Sequence, residues 1–184
     1  MSVNQALFIS LDYLKESTSL NDNVDDAKIR AILLSTQRLY IEPILGTDLY
    51  NKIQSDIIAT SLTGVYQTLV NTWIAPCLAW YSYMELIPDV GVNVARGGVY
   101  RSNAENSQTA TIGELNYYQQ KLRDRAEHFA GRLTDYLCSN SSLFPEYSTN
   151  SDEDIRPINS NTFHGISLDY TSKNKYEKET GQRY

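Results

Sequence analysis

Residues 65–88 read Val65-Tyr66-Gln67-Thr68-Leu69-Val70-Asn71-Thr72-Trp73-Ile74-Ala75-Pro76-Cys77-Leu78-Ala79-Trp80-Tyr81-Ser82-Tyr83-Met84-Glu85-Leu86-Ile87-Pro88. Tyr66, Leu69, Val70, Trp73, Ile74, Cys77, Trp80, Tyr81, Met84 and Ile87 recur at steps of three and four, the spacing of one helix face. Ala75, Leu78, Ala79, Tyr83 and Leu86 make the opposite side apolar too. A helix apolar all round is buried on most sides, so this one is central or is covered by a neighbouring subunit. Pro76 lacks an N–H and its ring meets the carbonyl one turn back, which predicts a kink near Thr72. Pro88 is expected to end the helix.

Upstream, Ser10 is a cap for a short helix over Leu11–Glu16, with Phe8 and Ile9 fastening the lead-in to the core. A first long helix is expected after Asn23, the N-cap, with Asp25 and Asp26 in the favourable first turn. Its stripe is Ile29, Ile32, Leu33, Thr36, Leu39 and Tyr40, and Pro43 is expected to stop it. Gly46 permits the turn that follows. Thr47 then caps a helix from about Asp48 to Ala59.

Downstream, residues 88–110 form a long connection for a small helical domain. Within it, Val92-Asn93-Val94-Ala95-Arg96-Gly97-Gly98-Val99-Tyr100-Arg101 reads as a hairpin about a Gly97-Gly98 turn. Thr111 and Glu114 make a capping box for a last long helix. Its stripe is Ile112, Leu115, Tyr118, Leu122, Ala126, Phe129, Leu133, Tyr136 and Leu137, and it ends near Cys138–Asn140. The expected fold class is mainly α: a four-helix bundle-like domain over 1–145 with a hairpin insertion at about 90–102. Residues 146–184 are expected to form an extended C-terminal arm. From Gly165 to Tyr170 that arm alternates polar and apolar as a half-buried strand would, yet it has too few apolar groups to offset its ordering entropy alone. An outside partner is the expected support, and a tail laid along its own bundle is the alternative.

The 184 residues suit one domain plus an appendage. Net charge is -6, and acids exceed bases both before and after residue 145. A duplex-DNA grip needs the opposite balance, whereas an acidic surface suits a passage through which DNA slides. Cys77 and Cys138 make no disulfide framework or zinc spacing and are expected to be small buried hydrophobes of a reducing compartment. His128 and His164 stand alone. The longest apolar run, Trp73 to Met84, is too short to span a bilayer of about 30 Å, and no signal-peptide pattern opens the chain. A soluble protein, intracellular when made, is expected.

No nucleophile motif, phosphate loop or paired carboxylates stand out. Asp22, Asp25 and Asp26 read as helix-start acids, Asp152-Glu153-Asp154 as a solvated turn, and nothing pairs Glu42, Glu85 or Glu114. The expectation is no enzyme, no cofactor and no metal. Fourteen tyrosines are many, and Tyr suits interfaces; Tyr81, Tyr83, Tyr117 and Tyr118 are expected to be partly surface-directed. Arg96, Tyr100 and Arg101 of the hairpin, and Phe163, Ile166, Leu168 and Tyr170 of the arm, are the candidate subunit or partner contacts. Asn23, Pro43, Gly46, Pro76, Gly97 and Gly98 are the structural motif positions.

Phe8-Ile9-Ser10, Asn23-Val24-Asp25, a helix with Gln37, and Ile41-Glu42-Pro43-Ile44-Leu45-Gly46-Thr47-Asp48-Leu49-Tyr50 resemble the start of head–tail connector (adaptor, or head-completion) proteins of tailed bacteriophages. Gly97-Gly98, the long last helix and Leu143-Phe144-Pro145-Glu146-Tyr147 are similar to members from crAss-like phages of gut Bacteroidales. The resemblance covers roughly residues 7–147. It implies a structural protein of the virion neck, assembled in the host cytoplasm. Such proteins form a closed ring of about twelve copies beneath the portal protein, held by heterologous contacts. The ring extends the DNA channel, passes DNA without reading it, and docks downstream tail or neck proteins. The arm segment Phe163–Tyr170 would then add to a sheet edge on the portal or a neighbouring ring. Another neck or tail-completion protein is the alternative. A further one is a small-molecule-binding bundle with a pocket under Trp73, Trp80 and Pro76.

Overall fold

A computed structural model describes residues 5–21, 23–90, 92–95, 98–101, 112–148 and 155–157. The chain is mainly helical. Six helices occupy the described residues: α1 (Leu11–Ser17), α2 (residues 26–45), α3 (Thr47–Ile58), α4 (residues 64–90), α5 (Ile112–Ser139) and α6 (Pro145–Ser148). Strands β1 (Val92–Ala95) and β2 (Gly98–Arg101) pair antiparallel, with Val92 opposite Arg101 and Ala95 opposite Gly98. Helix α4 is the centre of the molecule and packs against α2 on one side and α5 on the other. Leu69, Val70, Ile74, Cys77, Leu78 and Met84 of α4 join Ile29, Leu33 and Ile41 of α2 and Leu122, Ala126 and Leu133 of α5 in one core. The all-round apolar pattern of α4 thus reflects a central helix inside its own subunit.

Pro43 and Pro76 are accommodated by the same device. Helix α2 consists of Asp26–Thr36, a π turn over Gln37–Ile41, and Glu42–Leu45; α4 consists of Gly64–Thr68, a π turn over Leu69–Ile74, and Ala75–Val90. Glu42 N–H donates to Gln37 O and Ala75 N–H to Val70 O, each skipping one residue more than an α-turn. Pro43 and Pro76 come directly after these two donors. In an α-helix each ring would press on the carbonyl four residues back, Leu39 or Thr72. A turn widened by one residue displaces that carbonyl, so the helix continues. Pro43 therefore does not stop α2, contrary to expectation, and the distortion expected near Thr72 takes the form of a π turn. Pro88 does not stop α4 either. Its exposed ring lies in the last turn, where little of the helix remains to be broken.

Two expected caps are displaced. Asn21 closes a local turn, accepting from Asn23 N–H at its side chain (3.0 Å) and from Val24 N–H at its carbonyl (3.3 Å). That turn consumes Asn23, so Asp25 becomes the N-cap and accepts from Ala27 N–H at 2.9 Å. Thr47 is not a cap but the first residue of α3, with Gly46 before it. Its N–H is taken by Ile155 O at 3.1 Å, and its buried hydroxyl has no partner among the described residues. Ser10 caps α1 as expected, accepting from Tyr13 N–H. Thr111, Arg96 and Gly97, and the arm from residue 158, lie outside the described residues.

Candidate functional site

Gly46, between α2 and α3, is where the two terminal segments come closest to sharing one support. Its backbone sits at φ 75°, ψ 158°, a region open in practice only to glycine. A Cβ there would lie 2.7 Å from the Pro157 ring. The chain from α6 thus returns as Ile155–Pro157 and seats on the corner that opens α3. On the other side of α3 the N-terminal segment is held by two buried glutamines. Gln37 Oε1 accepts from Phe8 N–H (2.9 Å), and its Nε2 donates to Ala6 O (3.1 Å). Gln54 accepts from Ala6 N–H (2.8 Å) and donates to the same Ala6 carbonyl (2.9 Å). Phe8 then packs on Tyr50, ring centroids 5.1 Å apart. Gln37 has no exposed surface, so these bonds replace the water it has lost.

The α4–α5 seam is aromatic and basic. Arg132 lies over Trp73 (5.2 Å) and Arg125 over Trp80 (4.9 Å). Both pairs are seven residues apart on both helices, which sets an antiparallel register. Trp73 also stacks on Tyr136 at 4.5 Å. One step further along the seam, Tyr83 OH and Tyr118 OH are 3.1 Å apart. The space beside Trp73 is an open cleft of about 290 Å³, not a closed cavity.

The same register exposes what the seam leaves uncovered. Leu122, Ala126, Leu133 and Leu137 of the α5 stripe are buried, but Leu115 and Tyr118, in phase with them, are exposed beside Tyr117, which is 64% accessible. Among the described residues, packing on α4 buries the apolar stripe of α5 from Leu122 onward, and before it only Tyr118 is partly covered, by Tyr83. At the opposite end of the seam, where α3 meets α4, Ile58 and Val65 are exposed, as is Leu143 just before α6. Tyr66 ties that end to α6 through Glu146 (2.8 Å) and the Phe144 ring.

Several groups are displaced in their titration. Burial pushes Tyr40 up to about 12, helped by its hydrogen bond to Glu85 at 2.5 Å. Burial likewise takes Tyr66 to about 12, with Glu146 adding to it, and Tyr83 to about 12, with Tyr118 adding. The Cys77 thiol is pushed up to about 12 by burial and stays protonated. Among the described residues no three His, Cys, Asp or Glu side chains gather as a metal site, and no helix is long and apolar enough to cross a membrane.

The sequence-predicted contacts fall unevenly. Tyr100 and Arg101 lie on β2, opposite Asn93 and Val92, so Arg101 is at the α4 end of the strand pair and not at its tip. Gly98 opens β2 opposite Ala95. Phe163, Ile166, Leu168 and Tyr170, with Arg96 and Gly97, are outside the described residues. Tyr81 and Tyr83 are buried, against expectation, because they face α2 and α5 across the core; Tyr117 and Tyr118 are exposed as expected. Cys138 is exposed, 3.8 Å from Tyr147 OH, where a buried thiol was expected, because it sits beside the buried stripe of α5. Sequence reasoning missed the role of Gln37 and Gln54, two polar residues whose only signal was their place among apolar neighbours.

A family model described as a family of unknown function, DUF6712, matches residues 41–157. The chain belongs to DUF6712. The DUF6712 match opens at the end of the first π turn and closes at Pro157, the residue seated on Gly46. The returning strap is thus inside the DUF6712 unit, while α1 and most of α2 precede it. No curated protein and no solved structure matches the chain.

Proposed function

We propose that this chain is a structural subunit of a tailed-phage particle, a ring-forming head–tail connector beneath the portal that extends the DNA channel and docks tail proteins. Another neck or tail-completion role is the alternative within the same class. In this reading α2 to α5 form a four-helix bundle-like adaptor body, β1 and β2 form a projecting hairpin, and the arm beyond the strap reaches the portal or a neighbouring copy. No chemistry is assigned to it.

The observation that carries the reading is the uncovered start of the α5 stripe. Leu115 and Tyr118 continue a face that is buried further along, and Tyr117 stands beside them. A second exposed apolar group, Ile58 and Val65, lies at the other end of the α4–α5 pair, which at 1.5 Å per residue is about 40 Å long. Two unlike patches on one subunit are what a heterologous contact needs, and such contacts close into rings when the rotation allows. Tyrosine and the stacked arginines of the seam are residue types favoured in interfaces. The acidic net charge fits a channel wall that lets DNA slide.

The small-molecule reading draws less support from the surroundings of the two tryptophans. Trp73 and Trp80 are covered by arginines, and the cleft beside Trp73 is open. The test is a Leu115→Ser, Tyr117→Ser double variant. It should keep its helicity by circular dichroism and lose most of its assembly on the portal in sedimentation. Unchanged assembly with the helicity intact would remove the basis of the proposal.

A further inference from the structure

A groove of about 190 Å³ lies between the α1–α2 connection and the last turns of α4. Leu20, Val24, Leu86 and Ile87 line it with Tyr83, and its polar lining, Ser19 and Asn21, carries no charge. Val24 lies just before the start of α2, and Gly46, where Pro157 is seated, just after its end. The groove and the strap are therefore separated by the length of α2, about 30 Å at 1.5 Å per residue.

From Pro157 the chain runs on to Tyr184. Extended chain covers about 3.3 Å per residue, so Ile166 comes within reach of the groove after about 30 Å, and Leu168 and Tyr170 reach beyond it. The apolar alternation Ile166-Ser167-Leu168-Asp169-Tyr170 begins where the length permits contact. Residues 161–168 hold no Asp, Glu, Lys or Arg, in a tail otherwise rich in them, and the one charge of 166–170, Asp169, falls on the polar side of the alternation, so the apolar side matches an uncharged groove. Leu39, 63% exposed, lies on α2 between the two points and offers apolar surface on the way.

We infer that in the free subunit this groove is the docking site of the chain's own segment 166–170, which runs back along α2 from the Pro157 strap. Tethering in the same chain gives the segment a high effective concentration, so a modest apolar contact suffices. The inference stands without the connector reading. If both hold, the groove stores the arm until a partner competes for it.

Hydrogen exchange on the full-length protein, at a concentration where light scattering gives a monomer, tests it. Amides at Leu20 and Asn21 and at 166–170 should exchange about ten-fold more slowly in the wild type than in Leu168→Asp. Val24→Asp, which alters only the groove, should release 166–170 to the same degree, and Ser167→Asp should release neither. Equal exchange in wild type and Leu168→Asp would overturn the inference. So would protection that appears only as concentration rises, since the occupant would then be a second copy. Portal binding is a separate measurement, so failure of one reading is distinguishable from failure of the other.

Discussion

At Gly46 a left-handed backbone and a proline ring compete for the space of one methyl group. Gly46→Ala forces a φ of 75° on an L side chain and drives its Cβ into Pro157. We expect a loss of about 2 kcal/mol in urea unfolding. The double variant Gly46→Ala, Pro157→Ala should recover part of that loss, because the two changes share one contact. Gln37→Leu orphans the buried Phe8 N–H and should cost about 2 kcal/mol, with the exchange of that amide accelerated. The raised tyrosines set the behaviour in alkali. Tyr40, Tyr66 and Tyr83 titrate near 12 in the folded protein and near 10 when unfolded. The folded state therefore holds more protons between those values. The contribution of these tyrosines to stability should be constant up to about pH 10 and be lost from pH 10 to 12. Tyr40→Phe should make that loss smaller in a series of urea titrations. Of these residues, Gly46 was legible in the sequence as a turn glycine. Its partner Pro157 was not, because a contact across so many residues leaves no local pattern. Gln37 and Gln54 were silent for the same reason.

The π turns are the main lesson among the elements. Pro43 and Pro76 lie in stretches whose apolar spacing runs straight through them, and spacing outweighs the proline in both. Tertiary burial of Ile44 and Leu45 after Pro43, and of Cys77 and Leu78 after Pro76, rewards continuing the helix. Because the widened turn already accommodates the ring, Pro76→Ala should change stability by less than about 1 kcal/mol. An unrelieved proline in a helix interior costs about 3 kcal/mol. A gain of that larger size in urea unfolding would show that the π turn relieves nothing. The long helices α4 and α5 were legible because each repeats its spacing over many turns. Cap positions were not, since Asn23 and Thr47 have good capping side chains but lose the role to Asn21's local turn and to the returning strap. The α5 stripe was read correctly as apolar. Only packing reveals that its first turns are left largely exposed among the described residues.

For the whole molecule, one helical body carries unlike exposed apolar groups at the two ends of its longest helix pair, with residues 6–8 and 155–157 fastened near α3. Mainly helical character, net acidity and the absence of sequence signatures for catalysis were readable from residues alone. Which surface meets a neighbour was not, because an uncovered stripe and a buried one have the same periodicity. The central claim is assembly on a portal. Light scattering on the purified protein, alone and mixed with the portal ring from the same genome, tests it most directly. The account predicts a mass gain on the portal equal to a whole ring of copies. A protein that stays separate, with the portal mass unchanged, would contradict it.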